Sequence, residues 1–458
     1  MSKALVWLRR DLRLWDNHAL SLATNNHDEV DIVFVFDKNI LDKLPKDDHR
    51  VEFLFQVMDS MKGQISILYG DPVEKIVDFA KKKKSDIVYA NRDYESYAKD
   101  RDAKVKDLLF EESINFKSVK DQVLFEKDQV LNGKGEFYKV FTPYKNRYLE
   151  VLNQNKDELK THKVDKTKIN NSKINEAMEL KDIGFKESDI EVPSIDPIKK
   201  VKSFLKNSID EYNDKRDFPN LEATSGLSLY IRFGLVSIRS LFIKAMDDKS
   251  KGRSIWISEL IWRDFYSMLL QADDRIEDKP FNDKYDDFKW DKDKKLLKWW
   301  KEGKTGFPFV DAGMRQLNTT GFMHNRVRMV VASHLTKTLL LDYREGEKYL
   351  AQKLFDFDLA SNNGGWQWAS STGCDAAPYF RVFNPYRQSE RFDKEGEYIK
   401  KYVPELKNVP KKYIHDPSKM SDDEQKEYGV IIGKDYPAPI VDYSQNRKEI
   451  IQRFKDHG

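Results

Sequence analysis

Residues 356–374 read DFDLASNNGGWQWASSTGC, and the second half of the chain is organised around this stretch. Two aspartates at its start place two carboxylates close together. The adjacent glycines let a backbone or a flat ligand approach where a Cβ atom would clash. On a helix, the two tryptophans would point to roughly opposite sides. The pattern predicts a ring-binding helix or, alternatively, a buried helix pair whose aspartates cap helix ends.

The sequence on either side of this stretch adds basic and aromatic side chains. Residues 322–329 read FMHNRVRM and bring Asn325, Arg326 and Arg328, which we expect to meet the two carboxylates. The runs TGFMHNRVRM, NNGGWQWASSTG and DAAPYFRVFNP resemble the DNA photolyase/cryptochrome family. The resemblance extends from LVWLRRDLRLWDN near the start to YPAPIVDY near the end. Within the family it is closest to bacterial class I enzymes that act on cyclobutane pyrimidine dimers.

Composition limits the remaining interpretations. The 458 residues are enough for about three domain-sized units. A net charge of +3 does not by itself indicate a nucleic-acid binder, so any basic face must be local. The single cysteine, Cys374, excludes an internal disulfide framework and fits a reducing cytoplasm. We expect no signal segment, no membrane-spanning run and no metal site.

Short apolar runs alternate with helical patterns in the first part of the chain. The runs are 4–8, 30–36, 65–69, 86–89 and a fifth at 116–119 or 123–125, with helical patterns at 50–61 and 72–82. This alternation predicts a doubly wound parallel sheet over residues 1–130. No GxGxxG follows the first run, so the ordinary dinucleotide fingerprint is absent.

The rest of the chain is predicted to be a linker followed by helices. The linker covers residues 131–200 and includes KTHKVDKTKINNSKINE, a solvated polar stretch. Residues 201–458 are predicted to form an all-helical domain, with helical patterns at 201–212, 237–246, 254–270, 309–317, 326–341 and 347–355. By resemblance, the first domain holds an antenna and the helical domain binds FAD.

A hydroxyl-rich run, EATSGLS at 222–228, can offer hydroxyls and main-chain N–H groups to a phosphate, although such runs more often only cap helices. The resemblance places FAD phosphates and ribose here, with Gly226 standing where an arginine is common. It also places Asn362 opposite flavin N5, where many signalling cryptochromes have Asp or Cys. The FAD-binding residues implied by the resemblance are Tyr212, Thr224, Ser225, Gly226, Leu227, Ser228, Trp256, Arg263, Asn325, Arg328, Asp356, Asp358 and Asn362.

The segment 256–266 carries Trp256, Glu259, Trp262, Arg263 and Tyr266 at spacings that form one helical stripe. The alternative is an amphipathic core face, but a Glu and an Arg beside two tryptophans are unusual there. A flipped-out base needs an aromatic wall and a group that reads its edge. By resemblance, Glu259 hydrogen-bonds the dimer and Trp262 stacks on it.

The resemblance also implies further DNA contacts. Phosphate contacts position the duplex without reading its sequence, so lesion flipping would select the substrate. His324 is the only histidine in this region, whereas pyrimidine–pyrimidone enzymes of the family have a pair. The implied DNA-binding residues are Arg216, Glu259, Trp262, Tyr266, Asn325, Arg326, Met329, Trp368, Arg381 and Gln388, with Lys145 as a further candidate.

An electron chain to the flavin is the last set of residues that the resemblance implies. Trp366 matches the flavin-proximal donor and Trp290 the surface end. The middle position, usually Trp, is Tyr343, and Trp300 with Trp368 are candidates for a side branch. The residues expected to act in catalysis are therefore Glu259, Asn362, Trp366, Tyr343 and Trp290.

The function expected from the resemblance is light-driven repair of pyrimidine dimers in DNA by FAD in its fully reduced anionic form, in a monomeric protein. Methenyltetrahydrofolate is the leading candidate for a second chromophore, although Ala98 and Glu277 stand at its usual contact positions. A deazaflavin, a flavin or no antenna are the alternatives. The competing functions are a blue-light photoreceptor without repair activity and a flavoprotein that binds single-stranded nucleic acid. The absence of a long tail after YPAPIVDY disfavours the photoreceptor.

Overall fold

A computed structural model describes residues 1–170, 174–176 and 179–457 of the chain. The protein forms two compact units: Met1–Asp210 with Ser225–Asp274, and Glu211–Thr224 with Arg275–Gly458. The domain boundaries at residues 130 and 200 remain a prediction from the sequence. No helix in the described part of the chain is long and apolar enough to cross a membrane.

A five-stranded parallel sheet forms the centre of the first unit. Its strands are β1 (Lys3–Leu8), β2 (Glu29–Asp37), β3 (Ser66–Gly70), β4 (Ile87–Asn91) and β5 (Asn115–Val119), in the order β3-β2-β1-β4-β5. Four of the sheet's apolar runs were recognisable in the sequence because parallel strands are covered on both faces. The order reverses between β1 and β4, as in doubly wound folds. The predicted fold class is confirmed.

The fifth strand is the run predicted at 116–119, and the alternative at 123–125 is wrong. Residues 123–125 are buried without joining the sheet, because a carboxylate satisfies their main-chain groups. Asp264 accepts hydrogen bonds from the main-chain nitrogens of Leu124 at 2.9 Å and Phe125 at 3.4 Å. It also accepts one from the Tyr148 hydroxyl at 2.9 Å.

Helices surround the sheet and make up nearly all the regular structure of the second unit. Aspartates cap several of them, and Asp71 caps a helix that starts with Pro72, as favoured at a first turn. The helices are α1 (His18–Asn26), α2 (Lys38–Leu41), α3 (His49–Ser60), α4 (Pro72–Lys83), α5 (Ser96–Glu111), α6 (Phe141–Gln154), α7 (Ile198–Asn207), α8 (Tyr212–Lys215), α9 (Ser228–Arg232), α10 (Ile238–Met246), α11 (Lys251–Ala272), α12 (Lys294–Glu302), α13 (Pro308–Thr320), α14 (Asn325–Ser333), α15 (Tyr343–Lys353), α16 (Leu359–Ser370), α17 (Pro385–Phe392), α18 (Glu397–Tyr402), α19 (Lys411–Ile414), α20 (Asp422–Tyr428) and α21 (Tyr443–His457).

The region predicted as a linker contains α6 and a segment that hydrogen-bonds to β2 and β3 of the sheet. The main-chain nitrogen of Asn170 donates to the Val30 carbonyl, and that of Ile67 donates to the Ile174 carbonyl. Part of the stretch predicted to be solvated, residues 171–173, lies outside the described residues. In the first unit α11 packs against α6, and α10 packs against α11.

Two predicted helices end earlier than expected. The pattern at 201–212 divides into α7 and α8, because the main-chain nitrogen of Ile209 bonds back to the Phe204 carbonyl and closes α7. The pattern at 326–341 stops as α-helix at Ser333 and continues as one π-helical turn, His334–Thr338. In that turn the Thr336 hydroxyl donates to the Ala332 carbonyl, a back-bond that perturbs helices.

Candidate functional site

An arginine–aspartate pair joins α14 to the segment before α16. The Arg328 guanidinium donates through Nη2 to both oxygens of Asp356, at 3.0 and 2.9 Å, and through Nε to the Met323 carbonyl at 2.8 Å. The aspartate side chain is 4% exposed and the arginine side chain 28%. The predicted pairing is confirmed. Arg326, by contrast, pairs with Asp217 at 2.9 Å and not with either aspartate of the stretch.

The helix α16 begins at a cap and presents one uncovered position. Asp358 accepts hydrogen bonds from the main-chain nitrogen and the hydroxyl of Ser361, as the capping alternative anticipated. Asn362 is partly exposed, and Gly365, three residues on, is exposed. A Cβ atom built on Gly365 would meet no described atom within 4 Å. At Gly365 this face of α16 is open, so a ligand could approach the main chain there.

The other face of α16 is held by a network of amides. Asn363 donates to the Ile276 carbonyl at 2.8 Å, and Gln367 donates to the carbonyls of Ile276 and Lys279 at 3.2 and 3.1 Å. Glu347 of α15 completes this network. Its carbonyl accepts from Asn362 and its carboxyl accepts from Asn363, both at 3.1 Å. Glu347 was not predicted as a site residue; the sequence shows only a carboxylate four residues after Tyr343.

The Trp366 indole is buried between α16 and its neighbours. It is 2% exposed and meets the Trp300 ring edge-to-face, with centroids 6.1 Å apart. It also lies so close to Gly346 of α15 that a Cβ there would come within 2.1 Å of the indole. Trp300 in turn meets Tyr349 at 6.1 Å and donates from its indole nitrogen to the Val331 carbonyl. Of the two predicted side-branch tryptophans, Trp300 is the one in ring contact with Trp366.

The other two members of the predicted electron chain differ in exposure. Tyr343 is 1% exposed, and burial raises the pKa of its phenol well above the usual value, with the nearby Glu347 carboxylate adding to the effect. Trp290 is only partly exposed because Phe288 and Phe454 pack on it, at 4.6 and 6.2 Å between centroids.

In the first unit, α11 presents the predicted aromatic stripe. Trp262 stacks face-to-face on Phe141, with centroids 3.6 Å apart and planes 8° apart, and lies 5.4 Å from Tyr266. Glu259, Trp262 and Tyr266 are all partly exposed. Trp256 is buried against Phe204.

Arg263 and the hydroxyl-rich run also take up defined positions. The Arg263 guanidinium donates to the Gln122 carbonyl at 2.6 Å. Gly226 has a φ of 59°, a left-handed conformation in which a larger residue would be strained, and Ser228 begins α9. In the second unit, the Arg216 guanidinium lies 5.8 Å from the ring centre of the buried Tyr212.

The remaining residues predicted to bind DNA differ in solvent exposure. Arg381 and Asn325 are exposed, whereas Lys145 is partly exposed. Arg326 covers the Phe392 ring at 4.4 Å while paired with Asp217. Gln388 keeps a buried amide oxygen without a hydrogen-bond partner. Met329 lies within 4.0 Å of the Asn325 amide, and Trp368 meets Phe383.

Comparison with known proteins identifies the parts of the chain. Residues 4–163 match the DNA photolyase family model, and residues 256–456 match the FAD binding domain of DNA photolyase. A deoxyribodipyrimidine photo-lyase from Alkalihalophilus pseudofirmus is 39% identical, over 98% of this chain and 97% of the relative.

Solved structures agree with this assignment. A bacterial class III photolyase from Agrobacterium tumefaciens superposes with a TM-score of 0.91 at 32% identity, covering 100% of this chain and 98% of that one. An archaeal photolyase from Sulfolobus tokodaii with two FAD molecules gives 0.82 at 31% identity, covering 99% and 100%.

The doubly wound α/β unit and the match to an FAD binding domain define a flavoprotein enzyme with FAD as its cofactor. The chain belongs to the DNA photolyase family, and like its curated relatives it is a lyase that acts on DNA.

Proposed function

We propose that this enzyme repairs cyclobutane pyrimidine dimers, as the class I enzymes that its sequence resembles do. The observation that carries the proposal is the Trp262–Phe141 stack on α11, one turn after Glu259. The stack fixes the indole plane before any ligand arrives, so little side-chain freedom is lost when a base stacks on it. Glu259 supplies the polar group that reads the pyrimidine edge of a flipped-out lesion.

The residues proposed to hold FAD supply orientation and charge. Arg328 contributes a cation that Asp356 holds in place, and Asn362 offers an amide beside the open position at Gly365. When bound in its fully reduced anionic form, FAD supplies the electron that splits the dimer under light, and receives it back. The protein's own task is to orient the lesion and exclude water.

The second chromophore is a separate question, and the residues at its expected positions do not fit. Ala98 is 3% exposed and has no polar side-chain atom, so it cannot replace the acidic pterin ligand of folate-binding enzymes. Glu277 stands where the resemblance expects a lysine. Methenyltetrahydrofolate therefore lacks both expected contacts, and we derive no step through it.

Repair is tested by illuminating the reduced protein with an oligonucleotide that contains a single thymine dimer and following the loss of the dimer. We expect loss in the light and none in the dark. A photoreceptor without repair activity would keep its flavin reduced and leave the dimer intact. Gel filtration of the same sample tests whether the enzyme acts as a monomer.

Changing Asp356 to alanine is expected to lower FAD occupancy. The change leaves the Arg328 guanidinium without its carboxylate, and breaking a buried pair costs about 3–5 kcal/mol. We expect less than that range because Arg328 is partly exposed. The ratio of flavin to protein absorbance in purified samples measures the loss. Asp286→Ala, which breaks an exposed pair with Arg275, is the matched control; equal occupancy in both variants would show that the Arg328–Asp356 pair does not hold the flavin.

Changing Arg326 to alanine is expected to weaken binding to every DNA sequence and to lower the salt slope by about one unit. The guanidinium lies 4.4 Å from the centre of the Phe392 ring and pairs with Asp217, a carboxylate that it can exchange for a phosphate. A salt titration of DNA affinity measures the slope. Arg453→Ala, which removes an arginine paired with Asp291 and Glu449 and not assigned to DNA, should leave the slope as it is. An unchanged slope in Arg326→Ala would exclude a phosphate contact.

A further inference from the structure

Glu347 accepts a hydrogen bond from each of the two asparagines of α16, Asn362 and Asn363. Its main-chain carbonyl accepts a hydrogen bond from the Asn362 amide, and its carboxyl oxygen Oε1 accepts one from the Asn363 amide. It lies on α15, one turn after Tyr343 and next to Gly346, against which Trp366 packs. A change at this carboxyl therefore acts directly on Asn363, whose amide it binds.

Three charged groups and one hydrogen-bond donor face the Glu347 carboxyl. Arg344 and Asp342 lie on or at the start of the same helix, Asp278 comes from the segment after α11, and Asn363 is the hydrogen-bond donor from α16. Burial is the main influence, and with the two aspartates it raises the pKa of Glu347 to about 7. Arg344 and Asn363 act in the opposite direction. The carboxyl thus changes charge close to neutral pH.

The hydrogen bond to Asn363 depends on that charge. A carboxylate is the stronger acceptor, because hydrogen bonds to an ionised group are shorter and about twice as strong as neutral ones. A protonated carboxyl still accepts through its carbonyl oxygen, but its hydroxyl must find an acceptor of its own. Asn363 is bonded in turn to Gln367, so the change is passed along the amide network of α16.

We propose that Glu347 is a positioning residue for Asn362 and Asn363, and that exchange of its proton with water adjusts how Asn362 is presented to FAD. This inference rests on the proposed flavin contact of Asn362. No electron moves in the exchange. A proton passes between the carboxyl and water, and the hydrogen bond from Asn363 alters in strength. Asn362 responds because it is next to Asn363 on α16 and is bonded to the main chain of Glu347.

The first test is the melting temperature of Glu347→Gln as a function of pH. Glutamine keeps the acceptor for Asn363 but cannot ionise. A carboxyl whose pKa is raised on folding stabilises the protein fully below the unfolded value, and that stability is lost as pH rises through the folded value. The parent should therefore match the variant at about pH 4, below the ordinary glutamate value of 4.5, and melt at a lower temperature than the variant at about pH 8. Glu345→Gln, an exposed carboxyl on the same helix, is the matched control and should follow the parent.

The second test is the visible absorption spectrum of oxidised bound FAD during a pH titration. The parent and Glu345→Gln should show a transition with a midpoint near the pKa of Glu347, about 7, and Glu347→Gln should show none. A parent without a transition, or a Glu347→Gln variant that keeps it, would overturn the proposal even if the variant were poorly stable. Loss of dimer repair with the titration intact would count against the proposed function alone.

Discussion

Changing Trp366 to phenylalanine should nearly abolish the photoreduction of oxidised FAD, slowing it by at least about tenfold, or about 1.4 kcal/mol of barrier. Trp366 lies one turn after Asn362 on α16, on a helix whose opposite face is fixed by Gln367 and Asn363. Its indole is buried. Phenylalanine fills much of the space but is far harder to oxidise.

The residue that passes an electron to Trp366 decides how efficient photoreduction is. Tyrosine oxidation normally requires loss of the phenolic proton, whose unperturbed pKa is about 10. Burial raises the pKa of Tyr343 further, so its proton leaves even less readily. Trp300 carries no such requirement and is in direct ring contact with Trp366. We therefore expect photoreduction to be slower than with three tryptophans, and Tyr343→Trp to speed it.

Transient absorption on Trp366→Phe, Tyr343→Trp, Tyr343→Phe and Trp300→Phe separates the two routes. If the electron comes through Trp300, Tyr343→Phe photoreduces like the parent and Trp300→Phe is slow. If it comes through Tyr343, Tyr343→Phe is slow and Trp300→Phe photoreduces like the parent. Repair by enzyme reduced chemically beforehand should be unaffected in every variant that folds. Efficient photoreduction by Trp366→Phe would refute its role as the proximal donor.

Changing Trp262 to alanine should weaken binding of dimer-containing DNA by about 1–3 kcal/mol, the usual value of stacking a base on an aromatic side chain. That energy is about a 5- to 150-fold change in affinity. One face of the indole is covered by Phe141, and the side chain remains partly exposed. Alanine removes the stacking surface and also uncovers the face of Phe141 on which the indole packs.

Two further variants isolate the role of stacking. Trp262→Phe keeps an aromatic plane against Phe141 and should retain most of the affinity. Trp15→Ala removes a tryptophan that is 44% exposed and not assigned to DNA, and it should have little effect. Undamaged DNA should bind the parent and Trp262→Ala almost equally. An equal loss for damaged and undamaged DNA would place Trp262 outside the lesion pocket.

Much of the fold could be predicted because local patterns report it directly. Buried parallel strands appear as short apolar runs, and the alternation of these runs with helical patterns was enough for the first unit. The prediction of a strand at 123–125 was wrong because this run is as apolar as the true strands. What distinguishes it from a strand is its contact with Asp264, which is distant in the sequence. The predicted extent of the helix at 326–341 was wrong because the spacing of apolar residues does not indicate a switch from α- to π-helical hydrogen bonding.

Prediction of the site had similar limits. The Arg328–Asp356 pair was predictable, since the motif places a fixed arginine near a fixed aspartate. The contacts of Glu347 were not, because they depend on how α15 and α16 pack and on a main-chain carbonyl that any residue could provide. The partner of Arg326 was missed for a related reason: Asp217 is more than a hundred residues away in the sequence.

The carboxylate of Asp264 has a consequence for how the first unit assembles on the ribosome. It accepts from the main chain at Leu124 and Phe125 and from Tyr148, although it is made more than a hundred residues later than any of them. Until α11 emerges, those buried donors have no acceptor, and Phe141 lacks the indole that covers it. The nascent chain up to residue 200 therefore exposes apolar surface and cannot bury these amides without leaving them unsatisfied. Completion of this unit waits for residues 251–272, so translation of that helix, rather than of the last strand, is the step that ends its vulnerability to aggregation.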